Sequence, residues 1–242
     1  MNKNWIVSAG LGIMLGLGTF VWVNPQSLAF TASQSKVDLN EMRVEIGRLI
    51  EQNPQLGFSS NPYKYTENNQ VFDRIVGYGY EALPLIEDEI TKGDTYGLEK
   101  YIFAIAAERI AKVDLKQSPH RWSHAEEFVR SWRLHLQAVP SEVERIAVSQ
   151  QSGDEKIKSL VKLGVPAIPY ILEKVDAGHK DMAPALRQLI PESDASGLKA
   201  ESDATAYKQW AHEHQEQMEL LRSMVKKAVR EPETNKQFLI RK

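Results

Sequence analysis

Two histidines, His120 and His124, are the side chains whose spacing could most directly support chemistry. They lie four residues apart in the stretch HRWSH, so a helix would present both imidazoles on one face, one turn apart. This is the spacing of a two-histidine metal site. The glutamate that follows the first histidine in HExxH motifs is missing, and with it the hydrolytic base. The alternative is a helix surface that carries two solvated histidines.

The other clusters of titratable residues are typical of surface helices. Glu87, Asp88 and Glu89 are consecutive, so their carboxylates diverge around a helix and cannot face each other across a substrate, as glycosidase acids must. We therefore expect them on a solvated helix face. His212 and His214 would point about 200° apart on a helix. The sequence also contains no GxSxG, P-loop or GxGxxG motif outside its apolar N-terminal segment.

Composition excludes several function classes. The 242 residues include no cysteine, which rules out disulfides, zinc thiolates and thiol nucleophiles. The formal net charge is -2, with 30 basic and 32 acidic side chains, whereas a nucleic-acid-binding protein needs a basic face. We predict no nucleic-acid partner, no cofactor and no catalytic residue, and we keep His120 and His124 as the candidate metal ligands.

Four tyrosines surround a loop that is rich in Asn, Ser and Pro between residues 58 and 69. They are Tyr63, Tyr65, Tyr78 and Tyr80. Aromatic side chains on the rim of a groove often anchor peptides or sugars, so these four form the candidate binding surface. The alternative is that they close the end of a small core.

The N-terminal segment predicts export. The 19 residues from Trp5 to Val23 carry no charge, and a helix of that length spans about 28 Å, close to the hydrocarbon core of a bilayer. A signal peptide would be cleaved after Ala29, where small residues have the required spacing. Trp5 and Trp22, at the two ends of the segment, favour an uncleaved anchor. Both alternatives place the rest of the chain outside the cytoplasm.

The elements that would position these side chains are helices, and two of them repeat. GYGYEALPLIEDEI begins at Gly77 and KLGVPAIPYILEKV begins at Lys162, an offset of 85 residues. Each stretch predicts a glycine that ends one helix and a proline in the first turn of the next. The matching pairs are Gly79 and Gly164, Ala82 and Ala167, Leu83 and Ile168, Pro84 and Pro169, Ile86 and Ile171, and Gly93 and Gly178.

Half of that offset is close to the roughly 40–47-residue period of HEAT-type repeats. We therefore predict an intervening helix pair between Ser118 and Ser152. In its first helix Trp122, Phe128 and Trp132 share an apolar face, which is typical of a core. The stretch SEVE at 141–144 would cap the second helix.

The two stretches resemble the start of a HEAT-like repeat, G-x-x-A-hydrophobic-P-x-hydrophobic, over roughly Val71 to Ile190. With the preceding NPYKY loop they are similar to uncharacterised exported HEAT-like proteins of Gram-positive bacteria. This resemblance implies an all-α fold, a short α-solenoid in which antiparallel helix pairs stack into a right-handed superhelix. It implies no activity.

These patterns divide the chain into six segments. They are a signal peptide or membrane anchor at 1–29, a tether at 30–36, a HEAT-like domain at 37–190, a linker at 191–203, a capping or docking helix at 204–230 and a flexible tail at 231–242. The expected function is a membrane-anchored extracytoplasmic module that binds a protein partner at the cell envelope. The alternative is a metal-dependent hydrolase or carbohydrate-active enzyme that uses His120 and His124.

Overall fold

All regular structure in the described part of the chain is helical. The computed structural model describes residues 38–58, 61–93, 97–118, 121–192, 194–195, 198 and 204–231. These residues form α-helices and short 3-10 helices and contain no strand, which confirms the all-α class. No helix among them is long and apolar enough to cross a membrane. The predicted anchor at 1–29, the tether at 30–36 and the tail beyond Glu231 lie outside the described residues.

Ten α-helices are present in the described ranges. In chain order they are α1 (Leu39–Glu51), α2 (Gln70–Gly77), α3 (Leu83–Lys92), α4 (Leu98–Ala111), α5 (Ala125–Ala147), α6 (Gly153–Val161), α7 (Ile168–Asp176), α8 (Ala183–Leu189), α9 (Ala204–Glu213) and α10 (Gln215–Arg230). The central helix α5 packs against α3, α4, α6, α7 and α10. One hydrophobic core runs through these helices, from Met42 on α1 to Ala228 on α10.

Glycine and proline start two helices as the sequence predicts. Gly79 and Gly164 have φ angles of +68° and +71°, a backbone conformation that residues with a side chain rarely adopt. Each glycine leads into a short 3-10 helix, and α3 or α7 follows with Pro84 or Pro169 as its second residue. Backbone N–H groups in the first turn have no partner within the helix, so a proline at this position removes no helical hydrogen bond.

The same helix start occurs a third time, where the sequence comparison did not find it. Gly178 has a φ of +108° and precedes a 3-10 helix, Lys180–Met182, and then α8 with Pro184 as its second residue. Five residues lie between Gly178 and Pro184, whereas four lie between Gly164 and Pro169. The third copy also begins only 14 residues after the second, so a comparison at an offset of 85 residues does not pair it with either of the others.

The predicted helix pair between Ser118 and Ser152 is wrong, because α5 is one continuous helix of 23 residues with Pro140 inside it. Proline removes one backbone hydrogen bond and normally breaks or kinks a helix, at a cost of roughly 3 kcal/mol. Here the buried face continues across it through Leu136, Val139 and Val143. The Ser141 hydroxyl donates to the Ala138 carbonyl at 2.9 Å and does not cap a new helix.

The C-terminal segment contains two helices, where the sequence predicts one beginning near Ala204. The break is at His214, whose ring stacks on Trp210 with the ring centroids 4.5 Å apart. Its Nδ1 also lies 2.8 Å from the Trp210 carbonyl oxygen. A polar side chain that binds its own backbone in this way competes with the helical hydrogen-bond ladder. Both helices contact α7.

The loop between α8 and α9 is fixed at Asp194. The Tyr80 hydroxyl donates to the Asp194 carboxylate at 2.7 Å, and the Trp210 indole N–H donates to the Asp194 carbonyl at 2.6 Å. Leu198 in the same loop is buried in the core. Asp194 thus joins the start of α3 to α9, across more than a hundred residues of chain.

Gly164 also brings the backbone before α7 into close contact with the end of α4. A Cβ atom at this position would collide with the Ala111 carbonyl oxygen at the end of α4 and with a Val113 methyl group. At Gly79, by contrast, nothing lies within 4 Å of the same point. A substitution at Gly79 therefore measures the cost of backbone strain alone, whereas a substitution at Gly164 adds the cost of displacing packed atoms.

We expect Gly164→Ala to lower the free energy of unfolding by about 2–4 kcal/mol, because strain of about 1–3 kcal/mol adds to the displacement of α4. Gly79→Ala is the matched control, which carries only the left-handed backbone cost of about 1–2 kcal/mol. Urea unfolding followed by circular dichroism measures both. Equal losses in the two variants would show that the contact with Ala111 contributes nothing.

Candidate functional site

The histidine pair is only partly described. His120 lies outside the described residues. His124 is the N-cap residue of α5, and its side chain is 59% exposed. Its ring nitrogens lie 3.1 Å from a Glu126 oxygen and 3.3 Å from a Glu127 oxygen. Within the described ranges, no three His, Asp or Glu side chains are arranged to hold a metal ion.

The three consecutive carboxylates on α3 diverge, but they do not form a solvated face. Glu87 is 6% exposed and Glu89 is 2% exposed, so the expected surface position is wrong for both. Arg133 from α5 binds the Glu87 carboxylate at 2.8 Å, and Arg43 from α1 binds Glu89. Asp88 is the least buried of the three, with its side chain 48% exposed. These carboxylates hold three helices together and do not face a common cavity.

Two of the four candidate tyrosines are buried. Tyr65 is 2% exposed and Tyr80 is 4% exposed, so their rings belong to the core and line no rim. Burial raises the pKa of the Tyr80 hydroxyl, and its hydrogen bond to Asp194 raises it further. Tyr63 and Tyr78 are partly exposed, which reduces the candidate binding surface to these two.

Tyr63 belongs to an aromatic cluster that the sequence does not reveal. The rings of Tyr63 and Tyr101 meet edge to face at 6.2 Å, and Tyr101 lies 4.7 Å from Trp122. Within this cluster lies the ammonium group of Lys116, which is 3.8 Å from the Trp122 ring centroid, 5.1 Å from Tyr101 and 5.6 Å from Tyr63. We call the three rings the Lys116 cage.

Four separate segments build the cage. Tyr63 comes from the 3-10 helix Pro62–Tyr65, Tyr101 from α4, Lys116 from the 3-10 helix Leu115–Gln117 and Trp122 from the segment before α5. Asp114 fixes the Lys116 turn by accepting the backbone N–H of Lys116 at 3.1 Å. The sequence groups Trp122 with a core stripe and gives Lys116 no signal, because tertiary packing alone brings them together.

Hydrogen bonds complete the coordination of the ammonium group. Lys116 Nζ donates to the Tyr101 hydroxyl at 2.8 Å and to the Trp122 carbonyl at 3.1 Å. A cation over an aromatic face contributes about 0.5–2 kcal/mol, more when it is removed from water. The cage therefore combines two uncharged oxygen acceptors with three ring faces.

A buried carboxylate lies behind the cage. Glu108 on α4 accepts the Trp122 indole N–H at 3.0 Å and the Leu115 backbone N–H at 2.8 Å. Burial raises the pKa of this carboxyl above its ordinary value, while the two hydrogen bonds and the Lys116 charge oppose the rise. Glu108 thus orients the Trp122 ring and adds negative potential beneath the ammonium position.

A groove between α7, α9 and α10 has a volume of about 180 Å³. Its apolar lining comes from Leu172, Val175, Ala211 and Met218. Two ion pairs join its walls. Arg222 binds Glu173 at 3.0 Å, and Lys208 binds Asp176 at 3.2 Å. The groove therefore has an apolar interior and a rim whose charges are paired.

Comparison with known proteins adds no identification: no protein-family model matches the chain, and no curated protein or solved structure matches it significantly.

We expect Glu108→Gln to be at least as stable as the wild type at pH 7, because its amide oxygen still accepts both N–H groups while a buried charge is removed. Glu108→Leu is the contrasting variant. It leaves two buried donors unsatisfied, at about 1–3 kcal/mol each. Urea unfolding at pH 5 and pH 8 measures both.

The pH dependence has a definite sign. Since burial raises the pKa of Glu108, the folded state binds this proton more tightly than the unfolded chain does. The resulting stabilisation is complete below the ordinary carboxyl pKa and is lost as pH rises through the raised pKa. Glu108→Gln should therefore gain stability relative to the wild type between pH 5 and pH 8. An equal loss in the Gln and Leu variants at both pH values contradicts this account.

Proposed function

We propose that this chain is an exported HEAT-like helical module that binds a protein partner at the cell envelope. The apolar segment 5–23 holds it at the membrane, or the chain is secreted if cleavage occurs after Ala29. The observation that carries the binding role is the groove between α7, α9 and α10.

The HEAT-like part of the proposal is supported by repetition. Three helices, α3, α7 and α8, begin with a left-handed glycine, a 3-10 helix and a proline at the second position. Repeated helical units that pack on their neighbours build an extended surface, and such folds use that surface for binding. This step is an analogy between folds and so assigns no specific partner.

The groove has the size and chemistry for a protein side chain. An apolar cavity of about 150 Å³ accommodates a benzene ring, so a volume of about 180 Å³ fits one large apolar or aromatic residue. Hot spots in protein interfaces are commonly such residues, seated in a pocket and surrounded by a polar rim. The paired charges of Lys208 and Arg222 would supply that rim.

The histidine alternative has less support from the geometry. The His124 ring contacts carboxylates of its own helix, Glu126 and Glu127. Hydrolysis at a two-histidine centre remains a sequence-based hypothesis, and metal content of the purified chain tests it directly.

We expect photo-crosslinkers placed in the groove of the full-length chain, in cells, to capture one protein partner. Suitable positions are Lys208 and Gln215, which line the groove. Their neighbours Gln209 and Glu216 are equally exposed but lie outside it, and they serve as matched controls. The measurement is the crosslinked adduct identified by mass spectrometry.

A groove-filling variant, Ala211→Trp, should reduce the adduct at least fivefold while the protein stays folded. Adducts of equal yield at control and groove positions would refute the groove as the interface. Cell fractionation with external protease treatment tests export separately, because an intact chain in treated whole cells means that the helical part is inside the cytoplasm.

A further inference from the structure

We propose that the Lys116 cage is a binding site for a primary ammonium group, which Lys116 itself fills in the free protein. This site is formed by other elements than the groove, so the proposal does not depend on the groove interface. The ligand is either a free alkylamine or a lysine side chain of another protein, since both present the same chemical group.

The chemistry of the cage selects a cation. Three aromatic faces lie within 6 Å of the ammonium nitrogen, and such rings attract positive charge. The buried carboxylate of Glu108 accepts the Trp122 indole N–H, and its charge interacts with that of Lys116.

The distances around the ammonium nitrogen favour a primary ammonium group over an N-methylated one. The nitrogen lies 3.8 Å from the Trp122 ring centroid and makes hydrogen bonds of 2.8 and 3.1 Å. N-methyl groups would have to fit inside these distances and would remove the N–H donors. The Tyr101 hydroxyl and the Trp122 carbonyl therefore recognise N–H groups in particular, in addition to charge.

Lys116 is an exchangeable occupant. It is held by a hydroxyl, a carbonyl and ring faces, all of which are uncharged. Its backbone belongs to a 3-10 helix of only three residues, and its side chain is half-buried. An external ammonium can make the same contacts while Lys116 turns toward water, where its charge is well hydrated.

The test compares binding of n-butylammonium to the full-length chain, purified in mild detergent, with and without Lys116. Lys116→Ala and Lys116→Gln empty the ammonium position, and both should bind n-butylammonium at least tenfold more tightly than the wild type by calorimetry. Lys92→Ala removes an equal charge from an exposed position on α3, and it should match the wild type. In the Lys116→Ala background, Tyr101→Phe should weaken binding several-fold, because the ring stays but one acceptor is lost.

Selectivity provides the second readout. n-Butyltrimethylammonium should bind none of the variants at concentrations that saturate with n-butylammonium. Equal binding of the two cations overturns the proposal, as does the absence of saturable binding to Lys116 variants that retain the wild-type circular dichroism and melting temperature.

If the Lys116 variants do not fold, a titration of the wild-type protein tests the same proposal. The indole N–H resonance of Trp122 should shift in a saturable way with n-butylammonium and stay unchanged with the trimethyl analogue or sodium chloride. A Trp122 resonance that responds alike to all three salts contradicts an ammonium site.

A peptide distinguishes the two sources of the ammonium group. Tighter binding of acetyl-Gly-Lys-Gly-amide than of n-butylammonium identifies a protein lysine as the ligand, and weaker binding identifies a free amine.

Discussion

The close approach of Gly164 to the end of α4 is the contact on which the arrangement of the helices depends. The backbone at Gly164 lies directly against the Ala111 carbonyl, and no side chain fits between them. Lys112, which follows the last residue of α4, is left-handed with a φ of +53°. Its ammonium then donates to the Gln188 carbonyl at 2.9 Å, at the end of α8. A basic side chain at a helix C-terminus stabilises the unpaired carbonyls there, so α4, α7 and α8 are fixed relative to one another at this point.

Buried ion pairs fix the N-terminal helices in a comparable way. Glu45 on α1 binds Arg74 from α2 at 2.6 Å and Arg48 on its own helix at 3.0 Å. Glu87 on α3 binds Arg133 on α5. A buried carboxylate is costly unless it is paired, so moving α2 or α5 away from its partner would leave Glu45 or Glu87 without the arginine of the neighbouring helix.

The Lys116 cage and the groove between α7, α9 and α10 both form where separate segments meet. The cage requires Tyr63, Tyr101, Lys116 and Trp122 to converge from four elements, and Glu108 orients its deepest ring. The groove requires α9 and α10 to pack against α7, since residues of all three helices line it. Neither the cage nor the groove is formed by one helix alone, and both require contacts between separate elements.

The sequence by itself determined the all-α class, the glycines that end α2 and precede α7, and the prolines that begin α3 and α7. These are local constraints: a positive φ favours glycine, and a first helical turn tolerates proline, whatever the rest of the chain does. Tertiary structure decided that α5 continues through Pro140, because a buried face on both sides outweighs one missing hydrogen bond. It also decided that Glu87 and Glu89 are buried, since their arginine partners lie 46 residues away in the chain. The Lys116 cage was also decided by tertiary structure, because Tyr63, Tyr101, Lys116 and Trp122 belong to four different elements and their spacing follows no helical period.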